Sequence, residues 1–358
     1  MSDKRIIAIH LPQYYPFPEN DKWWGKGFTE WRNVASAKPR FSGHYQPHIP
    51  ADLGFYDLRL KESRIAQQEL AKEYGIYGFC YYHYWFNGHL LMEKPVEAML
   101  ADIEETFPFM LCWANENWSR NWEGGFNKTL MEQHYSEEDD IAHFNYLLPF
   151  FTDERYIKVD GKPVFCVYKP HLFPDFEKTC RTWQKEAEKK GFNLYICYFE
   201  AGESRTQKYL SQTVDASVEF QPMYLGKYGR LSNLAYNLSR KYLQKELFNK
   251  IVNYKRYVDF KCKESVMCGY KRYPSLCPSW DNSPRRTNGH FFAFTHNSPE
   301  AFGKWMQHVY SDFEPFSKDE NFIFINAWNE WAEGNHLEPD LKNGMRFLEE
   351  IKRTVKND

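Results

Sequence analysis

The feature of this sequence that most restricts its fold is the regular alternation of short apolar segments with longer polar and helical ones. Eight segments are rich in β-branched and aromatic residues, and they lie at residues 5–11, 76–84, 107–113, 163–169, 193–199, 216–220, 265–270 and 321–328. Their near-continuous apolar character is typical of parallel strands that are buried on both faces. These segments are therefore predicted to be the strands of one parallel sheet.

Helical segments lie between the strands, and two of them, residues 58–75 and 179–191, end at a glycine, which commonly caps a helix. Strand–helix alternation repeated eight times predicts an α/β fold, a single (β/α)8 TIM barrel with long βα loops, in one domain over residues 1–358. The alternative is a doubly wound open sheet. That fold usually carries a Gly-rich phosphate loop, and no G-x-G-x-x-G motif follows a strand in this sequence.

The overall charge, the length of the apolar runs, the N-terminus and the cysteine spacing limit the partners, the location and the ligands expected of this chain. A net charge of -2 argues against nucleic acid. No run approaches the roughly 20 apolar residues of a transmembrane segment. The N-terminus has no apolar signal core, which predicts a cytoplasmic protein, although a chain whose signal has been removed would look similar. The eight cysteines form no C-x-x-C pair, which argues against zinc. The sequence is predicted to need neither a metal nor a cofactor.

Residues 238–263 form a basic segment with apolar residues near helical spacing. These apolar residues are Leu243, Leu247, Ile251, Tyr254 and Val258. A solvated outer helix of the barrel explains the pattern. The alternative is a peripheral contact of this helix with a membrane surface or with a lipid-linked glycan.

The active site of a TIM barrel is built from residues that follow the C-terminal ends of the strands. In this sequence those positions carry carboxylates, amides and aromatic rings, which bind the hydroxyl groups and the flat C–H faces of sugars. The candidate substrate-binding residues are Tyr14, Tyr15, His83, Tyr84, Trp85, Trp113, Asn115, Glu116, Trp118, Tyr168, Glu219, Trp280, Trp328, Asn329 and Trp331. The set predicts an oligosaccharide or polysaccharide substrate.

Two carboxylates after the last strand, Glu330 and Glu333, are the candidates for catalysis. They lie three positions apart in N-E-W-A-E-G, residues 329–334. A capping box or a polar surface turn would explain an isolated E-x-x-E. At the end of a barrel strand, with tryptophans on both sides, the pair predicts glycoside hydrolysis, which needs one protonated and one ionised carboxyl group. Close placement of the two carboxyl groups favours one protonated and one ionised group, because the charge on one carboxylate raises the pKa of the other.

Several longer motifs resemble those of the WbsX-type proteins. They are "IAIHLPQYYPFPENDKWWGKGFTEW", "HYQPHIPADLGFYDLR", "GIYGFCYYHYWFNG", "CWANENWSRNW" and "AWNEWAEGNHLEPD", in this order from the first strand to the last. The WbsX-type proteins are associated with lipopolysaccharide or O-antigen biosynthesis and are described as glycosyltransferases. They are grouped with domains similar to glycoside hydrolase family 99, the endo-α-mannosidases.

The resemblance implies a (β/α)8 barrel that acts on glycans without a metal. In the hydrolases the last strand carries N-E-W-x-E-G, which Asn329 to Gly334 match. Carried over, Glu330 would deprotonate the 2-hydroxyl of the substrate, whose oxygen then attacks the anomeric carbon and gives a 1,2-anhydro sugar. Glu333 would protonate the leaving oxygen and later activate water. The histidine that follows the tryptophan in the mannosidases is Ala332 here, so mannose specificity does not carry over.

The sequence thus predicts a glycoside hydrolase, endo-acting and retaining, that cleaves a bacterial surface polysaccharide or another complex polysaccharide. The first alternative is a glycosyltransferase or transglycosylase in lipopolysaccharide O-antigen biosynthesis. The sequence lacks the D-x-D motif of many metal-dependent transferases, which argues against one large class of them. The second alternative is a barrel that binds glycans without catalysis.

Overall fold

Eight parallel strands form a barrel in the computed structural model, which describes residues 4–120, 128–223, 238, 242, 249–286 and 290–356. The strands are β1 (Arg5–His10), β2 (Gly78–Phe86), β3 (Phe109–Trp113), β4 (Lys162–Val167), β5 (Tyr195–Phe199), β6 (Ala216–Val218), β7 (Arg272–Tyr273 and Ser275–Leu276) and β8 (Phe322–Ile325). Neighbours in sequence pair in parallel from β1 to β6, and β8 pairs with β1. The predicted TIM-barrel fold is confirmed.

The strand β7 closes the barrel in two halves. Arg272–Tyr273 pairs with β6, and Ser275–Leu276 pairs with β8. Pro274 lies between the halves, where it has no N–H to donate to a ladder, and its carbonyl oxygen accepts a hydrogen bond from Phe324 N at 2.9 Å. The predicted seventh strand at residues 265–270 is therefore wrong. That segment is irregular, and its apolar character comes from side chains that pack against the core.

Helices cover the outside of the barrel and lie in the long loops at its mouth. Within the described ranges they are α1 (Pro18–Trp24), α2 (Glu30–Ser36), α3 (Lys61–Glu73), α4 (Lys94–Ala101), α5 (Glu137–Phe151), α6 (Phe176–Lys189), α7 (Tyr254–Lys261), α8 (Pro299–Asp312) and α9 (Arg346–Lys356). Single 3-10 turns cover Pro170–Leu172, Gly202–Ser204, Gln207–Tyr209, Ser283–Arg285 and Trp331–Glu333. Short strands outside the barrel cover His89–Leu91, Trp118–Arg120, Lys128–Met131, Lys158–Val159, Lys250–Asn253, Phe292–Thr295, Asn329–Glu330 and Asn335–His336.

The barrel interior is packed with strand side chains, including small thiols. Cys80, Cys112, Cys166 and Cys197 come from four consecutive strands and are completely buried. Cys166 lies opposite Cys112 on one side and Cys197 on the other in the parallel registers. They pack as small apolar side chains, as free cysteines commonly do.

The basic segment 238–263 does not form one continuous helix. Lys250–Asn253 is a strand that pairs in parallel with Phe292–Thr295, and α7 follows it directly. Tyr254 and Val258 on α7 are buried in the core, so packing explains their apolar spacing. Leu243 and Leu247 lie outside the described residues.

None of the helices in the described part of the chain is long and apolar enough to cross a membrane.

Candidate active site

A cavity of about 400 Å³ opens at the C-terminal ends of the barrel strands. Its lining residues are Leu11, Gln13, Tyr82, Tyr84, Ala114, Glu116, Asn117, Trp118, Ser119, Tyr168, Phe220, Trp280, Arg285, Asn326, Glu330 and Glu333. The volume suits one or two sugar rings, and the lining combines carboxylates with aromatic rings, as a carbohydrate site requires.

The turn after β8 carries both candidate catalytic carboxylates into this cavity. Asn329–Glu330 pairs antiparallel with Asn335–His336, and the 3-10 turn Trp331–Glu333 connects the two short strands. The Trp331 side chain is buried beneath the turn, and the Trp331 backbone N–H donates to the Tyr14 hydroxyl at 3.1 Å. The same hydroxyl donates to Asn329 O at 2.8 Å. The turn is therefore fixed from below, and Glu330 and Glu333 face the cavity.

Gly334 ends this turn, and two physical reasons exclude another residue there. Its φ of 55° is left-handed, a conformation that costs a residue with a Cβ. An added Cβ would lie 2.9 Å from the Asp281 Cβ, because the loop after β7 passes directly over the glycine. Asp281 N also donates to Glu333 O at 2.5 Å, so the loops after β7 and β8 are joined at this point.

Replacing Gly334 by alanine is expected to lower the free energy of unfolding by about 2–3 kcal/mol, because it adds a steric clash to the left-handed strain. Gly344 is a matched control, since its φ of 53° is nearly the same and nothing lies within 4 Å of its added Cβ. Alanine at Gly344 should cost about 1 kcal/mol. Urea unfolding of both variants measures the difference. Equal losses would show that the close contact with Asp281 does not constrain the turn.

Arg285, from the loop after β7, contacts three carboxylates at once. Its Nη2 lies 3.0 Å from Glu330, its Nη1 lies 2.7 Å from Glu333, and its Nε lies 3.0 Å from Glu30. Glu30 begins α2 and is completely buried. The planar guanidinium suits this geometry because its N–H groups diverge in a fixed fork. We call these four residues the arginine–carboxylate cluster.

Asp281 anchors the start of the turn that carries Arg285. The Asp281 carboxylate accepts hydrogen bonds from His44 Nε2 at 2.6 Å, Gln46 Nε2 at 2.7 Å and Ser283 N at 2.9 Å. The last of these bonds starts the 3-10 turn Ser283–Arg285. The loop after β1, which carries His44 and Gln46, is therefore bonded to the loop that carries Arg285.

The cluster has more negative than positive charge, and the pKa values reflect this. Burial raises the pKa of Glu330 to about 8; Arg285 opposes the rise, and the charges of Glu333 and Glu30 add to it. Burial also raises the pKa of Glu30, again against the pull of Arg285. Burial works to lower the pKa of Arg285, but its three carboxylates outweigh that effect and hold the pKa well above the usual range. The guanidinium stays charged while Glu330 can exchange a proton near neutral pH.

Five of the predicted substrate-binding residues line the cavity beside the two glutamates. They are Tyr84, Glu116, Trp118, Tyr168 and Trp280. Trp118 stacks on Trp23 from α1 with ring centres 6.2 Å apart, and Trp280 stacks on Phe292 at 6.2 Å. Glu116 pairs with Lys169, which neutralises it. These rings and the paired carboxylate form the walls of the cavity.

Three of the predicted residues, His83, Trp85 and Trp113, do not line the cavity. They face α5 on the outside of the barrel, where His83 Nε2 lies 2.8 Å from His143 Nε2. Trp85 Nε1 donates to Asp139 at 3.0 Å, and Trp113 Nε1 donates to Trp85 O at 3.1 Å. These side chains are buried structural contacts between the barrel and α5.

The remaining predicted residues are also buried outside the lining, namely Tyr14, Tyr15, Asn115, Glu219, Trp328, Asn329 and Trp331. Asn329 brackets the end of β1, accepting from Leu11 N at 2.7 Å and donating to Leu11 O at 3.0 Å. Asn115 makes the matching pair of bonds with Lys169. Glu219 faces outward to Lys261 on α7 at 3.1 Å. These side chains position the loops of the site without lining it.

Several lining residues were not among the predicted set, and Arg285 is the most important of them. It lies in a loop with a neighbouring arginine and no strand pattern, so nothing in the local sequence distinguishes it from a surface charge. Tyr82 could have been found, because it is two residues from Tyr84 and side chains two apart on a strand share a face. The one group of three candidate metal ligands within the described ranges, His48, His336 and Asp340, lies outside this cavity.

A protein-family model described as "Glycosyltransferase WbsX" matches residues 6–351. A protein named WxcX from Xanthomonas campestris pv. campestris (strain B100) is 38% identical over 352 residues, which are 98% of this chain and 49% of WxcX. The chain thus spans about half the length of the curated relatives it matches. The family resemblance seen in the motifs is confirmed.

Solved structures of glycoside hydrolases share the fold. A glycoside hydrolase-like protein matches with a TM-score of 0.62 at 13% identity, over 99% of this chain and 94% of that one. The GH99 endo-α-mannosidase from Bacteroides thetaiotaomicron matches with a TM-score of 0.55 at 13% identity, over 100% of this chain and 98% of that one. At these identities the likeness establishes the barrel fold alone.

Proposed function

The chain belongs to the WbsX glycosyltransferase family, and from this premise we propose that it is an enzyme that cleaves glycans, an endo-acting retaining glycoside hydrolase. Its substrate is a bacterial surface polysaccharide or another complex polysaccharide. The observation that carries the proposal is the placement of Glu330 and Glu333 on one arginine at the mouth of the barrel. Two carboxyl groups that share a cation beside a sugar-sized cavity can serve as the general acid and the general base of glycoside cleavage.

In the proposed reaction Glu330 takes the proton from the 2-hydroxyl of the sugar on the non-reducing side of the scissile bond. The oxygen O2 attacks the anomeric carbon, the bond from that carbon to the leaving oxygen breaks, and Glu333 protonates the leaving oxygen. Water, deprotonated by Glu333, then opens the 1,2-anhydro ring at the anomeric carbon, and Glu330 returns the proton to O2. Two inversions give overall retention. The usual retaining scheme differs, because there a carboxylate attacks the anomeric carbon directly.

The charge of the cavity supports a neutral sugar in this site. In the arginine–carboxylate cluster, Arg285 faces the three carboxylates of Glu30, Glu330 and Glu333, while Glu116 is paired with Lys169. A phosphate or uronate group would meet this excess of carboxylates and be repelled. Ala332 is buried under the turn, so the residue that replaces the mannosidase histidine offers no polar contact to a 2-hydroxyl.

The pKa of Glu330 gives the proposal a pH signature. Glu330 must be ionised to act as a base, and burial raises its pKa to about 8. On a nitrophenyl glycoside, whose leaving oxygen needs little protonation by Glu333, we therefore expect kcat/KM to rise with pH between 6 and 8, since kcat/KM reports ionisation in the free enzyme. A pH–rate profile measures this rise in kcat/KM, and the Glu116→Gln variant should show the same rise. A kcat/KM that does not rise over this range would show that ionised Glu330 is not the base.

The family description favours a second candidate, a glycosyltransferase or transglycosylase of O-antigen assembly. In that case a sugar hydroxyl in place of water would open the 1,2-anhydro ring. The excess of carboxylates around the cavity disfavours the diphosphate of a nucleotide-sugar donor. A cytoplasmic location, a peripheral contact with lipid-linked glycans and a single domain over residues 1–358 remain predictions.

A panel digest separates the two candidates. Purified protein is incubated with complex polysaccharides, and new reducing ends are counted with and without added oligosaccharide acceptors. The same protein is titrated with nucleotide sugars in a calorimeter. Release of reducing ends without any acceptor, and no heat from nucleotide sugars, is expected. Product formation only when an acceptor is present would establish transfer instead.

A further inference from the structure

We propose that His48, His336 and Asp340 bind a zinc ion behind the catalytic turn. All three side chains are buried, and one ligand atom from each lies within 4.8 Å of the others. Two imidazoles and one carboxylate are a donor set that zinc takes in proteins. The site is separate from the proposed cleavage, because none of the three residues lines the cavity that holds Glu330 and Glu333.

The hydrogen bonds around His336 orient it as a ligand. Its Nδ1 lies 2.8 Å from the carbonyl oxygen of Glu338, which can only accept, so Nδ1 carries the ring proton. The Nε2 lone pair then accepts a hydrogen bond from His48 Nδ1 at 2.8 Å and lies 3.9 Å from Asp340 Oδ2. Zinc would replace the proton of this hydrogen bond, and His48 would carry its ring proton on Nε2 instead. A backbone carbonyl that fixes the tautomer in this way is the usual outer partner of a metal-bound histidine.

The ligands are held in place by backbone pairing on both sides. Leu341 N donates to Ile49 O at 2.9 Å, and Ala51 N donates to Pro339 O at 2.9 Å. Asp340 Oδ1 accepts from Lys342 N at 2.9 Å and from Asn343 N at 2.5 Å, while Oδ2 accepts from Asn343 Nδ2 at 3.1 Å and lies 3.9 Å from His336 Nε2. The loop after β1 and the loop after β8 thus present their ligands from a rigid ladder.

Zinc fits between the two histidines after a small shift. Two nitrogen ligands about 2.0–2.1 Å from a tetrahedral zinc lie roughly 3.3 Å apart, so the 2.8 Å separation must widen by about half an ångström. His48 also borders a second cavity of about 300 Å³, together with Ser279 and Lys342. Water from that cavity would supply the fourth ligand of the ion.

The place of the site explains what the ion does. The His336 ring stacks on Trp331 with ring centres 3.7 Å apart, and Trp331 stands between Glu330 and Glu333 in the sequence. Zinc would link the loop after β1 to the short strand that follows the catalytic turn. It would thereby hold the turn and both of its carboxylates in position. Its role is to brace the turn, and it takes no part in the proposed proton transfers.

The buried pair His83 and His143 offers a matched control. Its two Nε2 atoms also lie 2.8 Å apart and both rings are buried, but within the described ranges no third ligand joins them. A His143→Gln variant therefore removes a similar buried contact without touching the proposed ligands. Asp340→Asn and His48→Gln keep the size of the side chain and remove a ligand atom or weaken it.

The test uses the full chain stripped with a chelator, given one equivalent of zinc chloride and passed through a desalting column. We expect about one zinc per chain by mass spectrometry of the metal, and a thermal midpoint that zinc raises. Asp340→Asn and His48→Gln should bind zinc more than about tenfold more weakly, while His143→Gln binds it as the unaltered protein does. Cobalt in place of zinc should show no thiolate charge-transfer band, because the site has no cysteine.

Any of three results would overturn the proposal. The first is failure of the unaltered protein to retain zinc after desalting. The second is a cobalt spectrum with strong thiolate bands, which would place the metal on the cysteines. Both readings come from the unaltered protein, so they hold even if a ligand variant fails to fold. Equal zinc affinity in a folded Asp340→Asn variant would also contradict the assignment.

Discussion

Replacing Glu333 by glutamine is expected to lower the rate of glycan cleavage about 1,000-fold, because the amide cannot protonate the leaving oxygen. The change keeps the size of the side chain and its place at the mouth of the cavity. It removes one of the three carboxylates of Arg285, so the cluster becomes closer to neutral and the fold should not lose stability. Reducing-end release from the polysaccharide that the panel identifies measures the loss.

The leaving group distinguishes loss of an acid from general damage. A nitrophenyl glycoside has a leaving oxygen that needs little protonation, so Glu333→Gln should cleave it with a much smaller loss than it shows on the polysaccharide. Glu116→Gln is the matched control, since Glu116 lines the same cavity but pairs with Lys169 outside the arginine–carboxylate cluster. An equal loss on both substrates would remove Glu333 from the role of acid.

Replacing Arg285 by methionine is expected to lower the free energy of unfolding by about 3 kcal/mol at pH 7.5, because it leaves buried carboxylates without their cation. Cleavage should also fall about 100-fold, since Glu330 and Glu333 lose the fork that aligns them. Denaturant unfolding and the rate on the same glycan measure the two effects. Arg285→Lys should recover only part of either, because an ammonium group cannot contact three carboxylates in one plane.

The pH dependence of the Arg285→Met variant follows from the sign of the pKa shifts. Arg285 lowers the pKa values of Glu330 and Glu30, which burial has raised above their ordinary value. Without it both values rise further, and a group whose pKa is raised in the folded state loses stability as pH rises. The deficit should therefore grow as the pH rises through about 8, where Glu330 is ionised in the unaltered protein and still protonated in the variant. Adding Glu30→Gln to the variant should restore part of the stability at pH 7.5, and no recovery would show that Glu30 is not charged there.

The sequence predicted most of the barrel because buried parallel strands leave a strong signal. Seven of the eight predicted segments overlap a barrel strand. The seventh failed because Pro274 divides β7 into two short halves, while the more apolar segment 265–270 packs against the core as irregular chain. At the other seven predicted segments the buried apolar residues also form strands. Only at residues 265–270 do apolar residues pack against the core without forming a strand.

The sequence predicted where the candidate site lies, but it predicted only some of the residues that line it. Glu330 and Glu333 follow β8 as expected and face the cavity. Side chains on β2 alternate in direction, so Tyr82 and Tyr84 point into the mouth while His83 and Trp85 point toward α5. Assigning every residue of a strand end to the site ignored that alternation.

Glu30 and Arg285 lie far apart in the sequence and meet only because the loops after β1 and β7 fold over the same edge. No local pattern marks either residue, since a glutamate at a helix start and an arginine in a polar loop are common surface features. Their burial together is a property of the closed barrel. It was therefore the part of the site that the sequence could not supply.

The central claim is that the substrate's own 2-hydroxyl, deprotonated by Glu330, attacks the anomeric carbon. The direct measurement compares the cleaved glycan with an analogue methylated at that oxygen. The account predicts that the analogue binds competitively and is not cleaved. Cleavage of the analogue at a comparable rate, with a glycosyl adduct on Glu330 in the mass spectrum, would contradict it.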